Sequence, residues 1–149
     1  MMFTTVLAAV DLAATPAHFV LEKASSYVAE GGKLQVIHVV EPQYVQYSFD
    51  PTFTGSLTRE LEDNAREAAR AQLAEVCAPY NIPAEQQHIV LGRAADKIHD
   101  AAQSMNADII VVGSHARHGW RRLLGSTASA VLQGAPLDVI VARLPEKAD

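Results

Sequence analysis

Asp108-Ile109-Ile110-Val111-Val112 runs without a break into Gly113-Ser114-His115-Ala116-Arg117-His118-Gly119-Trp120-Arg121-Arg122-Leu123-Leu124-Gly125-Ser126-Thr127. A short β-branched run with no polar alternation is the pattern of a strand buried on both faces, as parallel strands are. The segment after it leads into a predicted helix over Ser126–Gln133. Outward from this stretch the same order repeats. Thr4–Val10 predicts a first strand, punctuated by Asp11. A helix follows, capped near Thr15 with Pro16 at its first position and ending at Gly31-Gly32. Leu34–Val40 predicts the second strand and Gln87–Leu91 the third. The longest helix, from Leu57 to about Pro79, carries Leu57, Leu61, Ala65, Ala68/Ala69, Leu73 and Val76 on one stripe. Ala94–Met105 is a third helix and Asp138–Ala142 a last strand. Alternation throughout predicts an α/β fold, a parallel sheet with helices on both faces joined by right-handed crossovers.

The 149 residues suit a single domain spanning 1–149. Hydrophobic residues make up 49% and charged ones 19%, too apolar for disorder. A net charge of −5 argues against a general nucleic-acid binder, so any cationic site must be local, and Arg117, Arg121 and Arg122 form the obvious cluster. The lone cysteine, Cys77, makes no internal disulfide and sits late in an amphipathic helix, where it reads as a buried, inert thiol. The start of the chain has neither a charged n-region nor a cleavage site, and no apolar run approaches a membrane span. A cytoplasmic protein without membrane insertion is the expectation. Between Glu41 and Ser56, Pro42, Pro51, Gly55 and the aromatics Tyr44, Tyr47, Phe49 and Phe53 predict a long connection, either a functional flap or a partner contact.

In open parallel sheets ligands sit beyond the carboxyl ends of the strands, where strand order reverses. Asp11, Val40-Glu41, Gly92 and Gly113 occupy those ends. If strands 1 and 4 lie side by side, Asp11 and the glycine loop face one crevice. The loop joins glycines and cations to a helix start bearing Ser126 and Thr127, and a helix start offers unpaired N–H groups to an anion. It is not a Walker A loop, a dinucleotide fingerprint or a nucleophile elbow. Two readings stand: a phosphate cradle, or glycines that merely end a strand, make a turn and cap a helix. Asp11 fits a ligand contact or an Asx turn closing its strand.

Other residues read more plainly. His115 and His118 lack a neighbouring carboxylate and form no zinc site. His38 reads as a packed, hydrogen-bonded core histidine, and Asp96 and Asp100 as a solvated helix face. No Ser/His/Asp arrangement converges, so no catalytic residue and no metal ligand is assigned.

At the glycine loop the chain resembles a known family. Val-Val-Gly-Ser-His-x-Arg-His-Gly-Trp followed by Leu-Leu-Gly-Ser-Thr-Ala is similar to the signature of universal stress proteins, UspA-like members especially. Val-Leu-Ala-Ala-Val-Asp-Leu, Val-Ile-His-Val-Val-Glu-Pro, Val90-Leu91-Gly92-Arg93-Ala94 and Ala135-Pro136-Leu137-Asp138-Val139-Ile140-Val141 are similar to other strands and turns of the family. The resemblance implies a flavodoxin-like, five-stranded sheet in order 3-2-1-4-5. It implies ATP or AMP as ligand, with magnesium accompanying ATP. Asp11 and Val40 would hold the adenosine end; Gly113, Ser114, His115, Ala116, Gly125, Ser126 and Thr127 would hold ribose and phosphates. It further implies a homodimer through the last strand, Asp138, Val139, Ile140, Val141 and Ala142, whose apolar edge invites pairing, and a protein partner met in the stress response. The chain departs from the ATP-binding pattern: Ala116 replaces the second glycine, and eight residues, not nine, separate it from Gly125. Alanine adds a Cβ where backbone approaches phosphate. The departure leaves room for a dimeric, nucleotide-free interaction protein, and a slow ATPase lacks an evident general base.

Overall fold

A computed structural model of the chain describes residues 2–12, 17–42, 55–114 and 125–143. Five parallel strands, β1 (Phe3–Ala9), β2 (Val28–Val40), β3 (Gln87–Leu91), β4 (Ile109–Gly113) and β5 (Val139–Ala142), form one sheet in the order β3-β2-β1-β4-β5. Four α-helices lie between them: α1 (Ala17–Ser26), α2 (Gly55–Cys77), α3 (Ala94–Ser104) and α4 (Ser126–Leu132). Class, strand order and the β1–β4 pairing match the reading of the sequence.

Strand pleating sends successive side chains to opposite faces, so each apolar run feeds two cores. Val6, Ala8 and Val10 meet Val20 and Leu21 of α1 and Leu73 and Cys77 of α2. Leu7, Ile110 and Val112 meet Ala95, Ile98 and Ala102 of α3 and Ala128 and Val131 of α4. Val6, Leu7, Ala8, Ile110 and Val111 are fully buried, which explains why β1 and β4 carry no polar alternation.

Two expectations are corrected. The first helix does not reach Gly31-Gly32; it ends at Ser26, where the Ser26 hydroxyl donates to the Lys23 carbonyl at 2.6 Å and Tyr27 N–H to Ala24 O at 3.1 Å. The glycines belong to the start of β2, which begins six residues before Leu34. Gly31 has φ +77°, and a Cβ on Gly32 would lie 2.7 Å from the Thr4 carbonyl. Gly31 is there for its positive φ and Gly32 for a close backbone approach, at an irregularity where pairing jumps from Phe3↔Val28 to Thr5↔Lys33. The long-helix stripe is also only half right. Ala69 and Leu73 are buried, but Leu61, Ala65 and Ala68 are exposed. A 23-residue helix rises roughly 35 Å, about twice the length of the five-residue β3, so its amino-terminal turns run past the sheet. The expected cap at Thr15 and Pro16 and the aromatics of 43–54 lie outside the described residues.

Candidate functional site

Strand order sets the site. β1 sits between β2 and β4, from which the chain moves away in opposite directions, toward β3 on one side and β5 on the other. The connections therefore part above the carboxyl end of β1 and leave a crevice. A cleft of about 380 Å³ lies there, inside the usual range for small-molecule sites. Its floor is apolar, with Ala9, Ile37, Ile98 and Val112, and its polar groups come from strand ends and helix starts.

Four residues expected at a ligand site converge on this cleft: Asp11 after β1, Val40 at the end of β2, Gly113 at the end of β4 and Thr127 in the first turn of α4. Ser114, Gly125 and Ser126 do not line it. The Ser114 N–H donates to the Ala142 carbonyl at 2.8 Å, extending the β4–β5 ladder. Gly125 is buried and caps α4 from extended backbone (φ −61°, ψ 160°), while Ser126 is exposed. His115, Ala116, Arg117, His118, Trp120, Arg121 and Arg122 lie outside the described residues.

The structure adds two polar side chains to the cleft, His38 and Glu41. His38 is hydrogen-bonded, as expected, but half-buried on the cleft wall and not sealed in the core. Its Nδ1 lies 3.0 Å from the Val10 carbonyl and 3.4 Å from the Leu12 N–H. One nitrogen cannot donate to the first and accept from the second. The shorter contact, at ordinary hydrogen-bond length, puts the proton on Nδ1 and makes Val10 O its acceptor. Gln72 of α2 donates to the Leu12 carbonyl at 3.2 Å, so backbone on both sides of Asp11 is tied down.

Glu41 closes the neighbouring corner. Its Oε1 accepts from the Ala94 N–H, the first residue of α3, at 3.1 Å, so a carboxylate sits on the positive end of that helix. The turn that brings α3 there depends on Gly92, whose N–H donates to Val40 O at 3.0 Å and whose φ is +143°. The Lys97 side chain folds over this glycine, and a Cβ would meet its Cε at 2.6 Å. With Asp11 and Glu41 present and no lysine or arginine among its described lining residues, the β1–β2 end of the cleft is acidic. Cys77 does not line the cleft, and its thiol is pushed up to about 11 by burial. Asp96 and Asp100 are exposed, as a solvated face requires.

Among the described residues no helix is long and apolar enough to cross a membrane. The universal stress protein family profile matches residues 2–143. Universal stress protein A homolog 1 of Coxiella burnetii is 33% identical over 146 residues, covering 98% of this chain and all of the relative. The solved structure of universal stress protein UspA from Lactobacillus plantarum superposes with a TM-score of 0.64 at 26% identity, covering 96% of this chain and 99% of that one. A universal stress protein solved in complex with cAMP superposes with a TM-score of 0.63 at 19% identity, covering 96% and 98%.

Proposed function

The chain belongs to the universal stress protein family, and from that premise we propose that its cleft binds an adenine nucleotide, ATP or AMP, to control recognition of a protein partner in the stress response. The observation that carries this reading is the convergence of Asp11, Val40, Gly113 and Thr127 on one cleft of about 380 Å³ at the switch point of the sheet. Asp11 and the Val40 backbone take the nucleoside end. Gly113 and Thr127, with Ser114, His115, Ala116, Gly125 and Ser126 of the adjoining loop and helix start, take ribose and phosphates, and magnesium accompanies ATP. The acidic β1–β2 end favours this direction, because phosphate is repelled from Asp11 and Glu41. The relative solved with cAMP carries an adenosine phosphate on the same fold. The protein acts in the cytoplasm as a homodimer through β5, an edge strand paired only to β4 within the sheet. Its role is binding, with no catalytic residue.

Thermal denaturation with Mg-ATP, AMP and adenosine tests the reading. A ligand at a hundred times its Kd stabilises by about 2.7 kcal/mol, an upward shift of about 9 °C for a chain of this size. An unchanged midpoint at millimolar nucleotide, together with no nucleotide released from denatured protein, refutes it. A second reading, a dimeric interaction protein with a vestigial site, draws on Ala116 and the eight-residue spacing to Gly125. Ala116→Gly separates the two: it tightens nucleotide binding in a working site and changes nothing in a vestigial one.

A further inference from the structure

His38 is the one histidine among the described lining residues of the cleft, and its chemistry there is decided by what its Nδ1 already does. Nδ1 is committed to the Val10 carbonyl at 3.0 Å. In a neutral imidazole a proton on one nitrogen leaves a lone pair on the other, and the partner of the first nitrogen sets the tautomer. Nε2 is then an acceptor, and it has no hydrogen-bond partner among the described residues. The ring borders the cleft between the ends of β1 and β2, on the side where Asp11 and Glu41 add further acceptors.

We propose that His38 is a specificity residue of the cleft, held as the Nδ1–H tautomer so that Nε2 accepts a hydrogen bond from an uncharged donor on the bound nucleoside. This rests on the nucleotide reading above and deepens it by naming what the β1–β2 end recognises. A donor-bearing group gains a partner there. A phosphate, which carries only acceptors and negative charge, meets one more lone pair beside two carboxylates. The ring also positions: its Nδ1–H holds the carbonyl immediately before Asp11, so it fixes the backbone that presents that acid. Two donors on a nucleoside fit this chemistry, an exocyclic amino group and a ribose hydroxyl.

The two nitrogens can be separated by substitution. The amide nitrogen of asparagine overlies histidine Nδ1 and has nothing at the Nε2 position, so His38→Asn keeps the bond to Val10 O and deletes the acceptor. It should keep the wild-type thermal midpoint to within about 2 °C and lose about fivefold in adenosine affinity, the value of one neutral hydrogen bond. Repeating the comparison with purine riboside, 2′-deoxyadenosine and 3′-deoxyadenosine identifies the donor. The analogue that lacks it should bind wild type and His38→Asn equally, while the others keep the fivefold difference. Two-bond proton–nitrogen correlation spectra of the wild type should place the His38 proton on Nδ1 and show the Nε2 resonance moving on addition of adenosine.

A proton on Nε2, adenosine affinity unchanged in His38→Asn, or the same loss for all four ligands would each overturn the assignment. Failure of the nucleotide reading itself looks different, because wild-type protein then binds none of these ligands.

Discussion

Replacing Gly92 by alanine should lower the thermal midpoint by about 6 °C and weaken the cleft that the β3–α3 turn supports. Gly92 adopts φ +143°, a region that L side chains rarely enter, and holding one there costs about 1–3 kcal/mol. The added Cβ would stand 2.6 Å from Lys97 Cε and 3.0 Å from its Cγ. That side chain is flexible and can move aside, so the backbone cost dominates and about 2 kcal/mol is a fair estimate. Unfolding entropy near 2.1 cal/mol/K per residue gives about 0.31 kcal/mol/K for the 149-residue chain, hence about 6 °C. Differential scanning calorimetry of Gly92→Ala, Lys97→Ala and the double variant separates the two contributions, since removing Lys97 relieves only the side-chain contact. A shift under about 2 °C for Gly92→Ala, or full recovery in the double variant, would refute the assignment of the cost to backbone strain.

Three further outcomes follow from the core and the sheet edge. Leu73→Ala on α2, where Leu73 is 1% exposed, should cost about 3 kcal/mol and about 10 °C in thermal midpoint, read by circular dichroism. Cys77 is fully buried with its thiol pushed up to about 11, so folded protein at pH 8 should resist a thiol reagent and label only as fast as it unfolds. Labelling at the rate of a free thiol would contradict that packing. His88, whose Nε2 lies 2.8 Å from Gln35 Oε1, is held below its usual value of 6.5 by burial. The unfolded chain therefore takes up a proton more readily, and stability present above about pH 6.5 is lost as the pH falls toward the folded-state value. His88→Gln should flatten urea-denaturation stability across that window.

The sheet was legible because its signals are local. The uninterrupted runs Val6–Val10 and Ile109–Val112 mark strands buried on both faces, and Gln87–Leu91 has the same bounds in structure as in pattern. The misplaced end of α1 shows where locality fails. Gly31-Gly32 looks like a helix stop, but what demands glycine is the Thr4 carbonyl, which is distant in sequence. The exposed Leu61 and Ala65 fail for a related reason, since periodicity reports a face but not how far the underlying sheet extends. The positions of Asp11, Val40 and Gly113 at strand ends could be read directly once the strands were known. Glu41 was legible as a strand end too, but its contact with α3 was not, and neither was the place of His38 on the cleft wall. Their places depend on the Val10 carbonyl and on the start of α3, each brought close only by the crossovers.

The irregular start of β2 separates two kinds of tolerance in this protein. Between Phe3↔Val28 and Thr5↔Lys33 the chain advances two residues on β1 but five on β2. The surplus is taken up at the amino end of the sheet, opposite the cleft, where a Cβ on Gly31 would meet nothing within 4 Å. Lengthening or trimming the chain at Gly31, beside the tightly held Gly32, is expected to change this slack before it changes the alignment of Thr5–Ala9 with Lys33–Ile37. A reporter peptide inserted there should thus be buffered before its effect reaches Asp11 and Glu41. At the carboxyl end the described strand ends pair without a shift, Ala9↔Ile37, Val40↔Leu91 and Gly113↔Ala142, so a residue added within them would re-aim the groups that line the cleft.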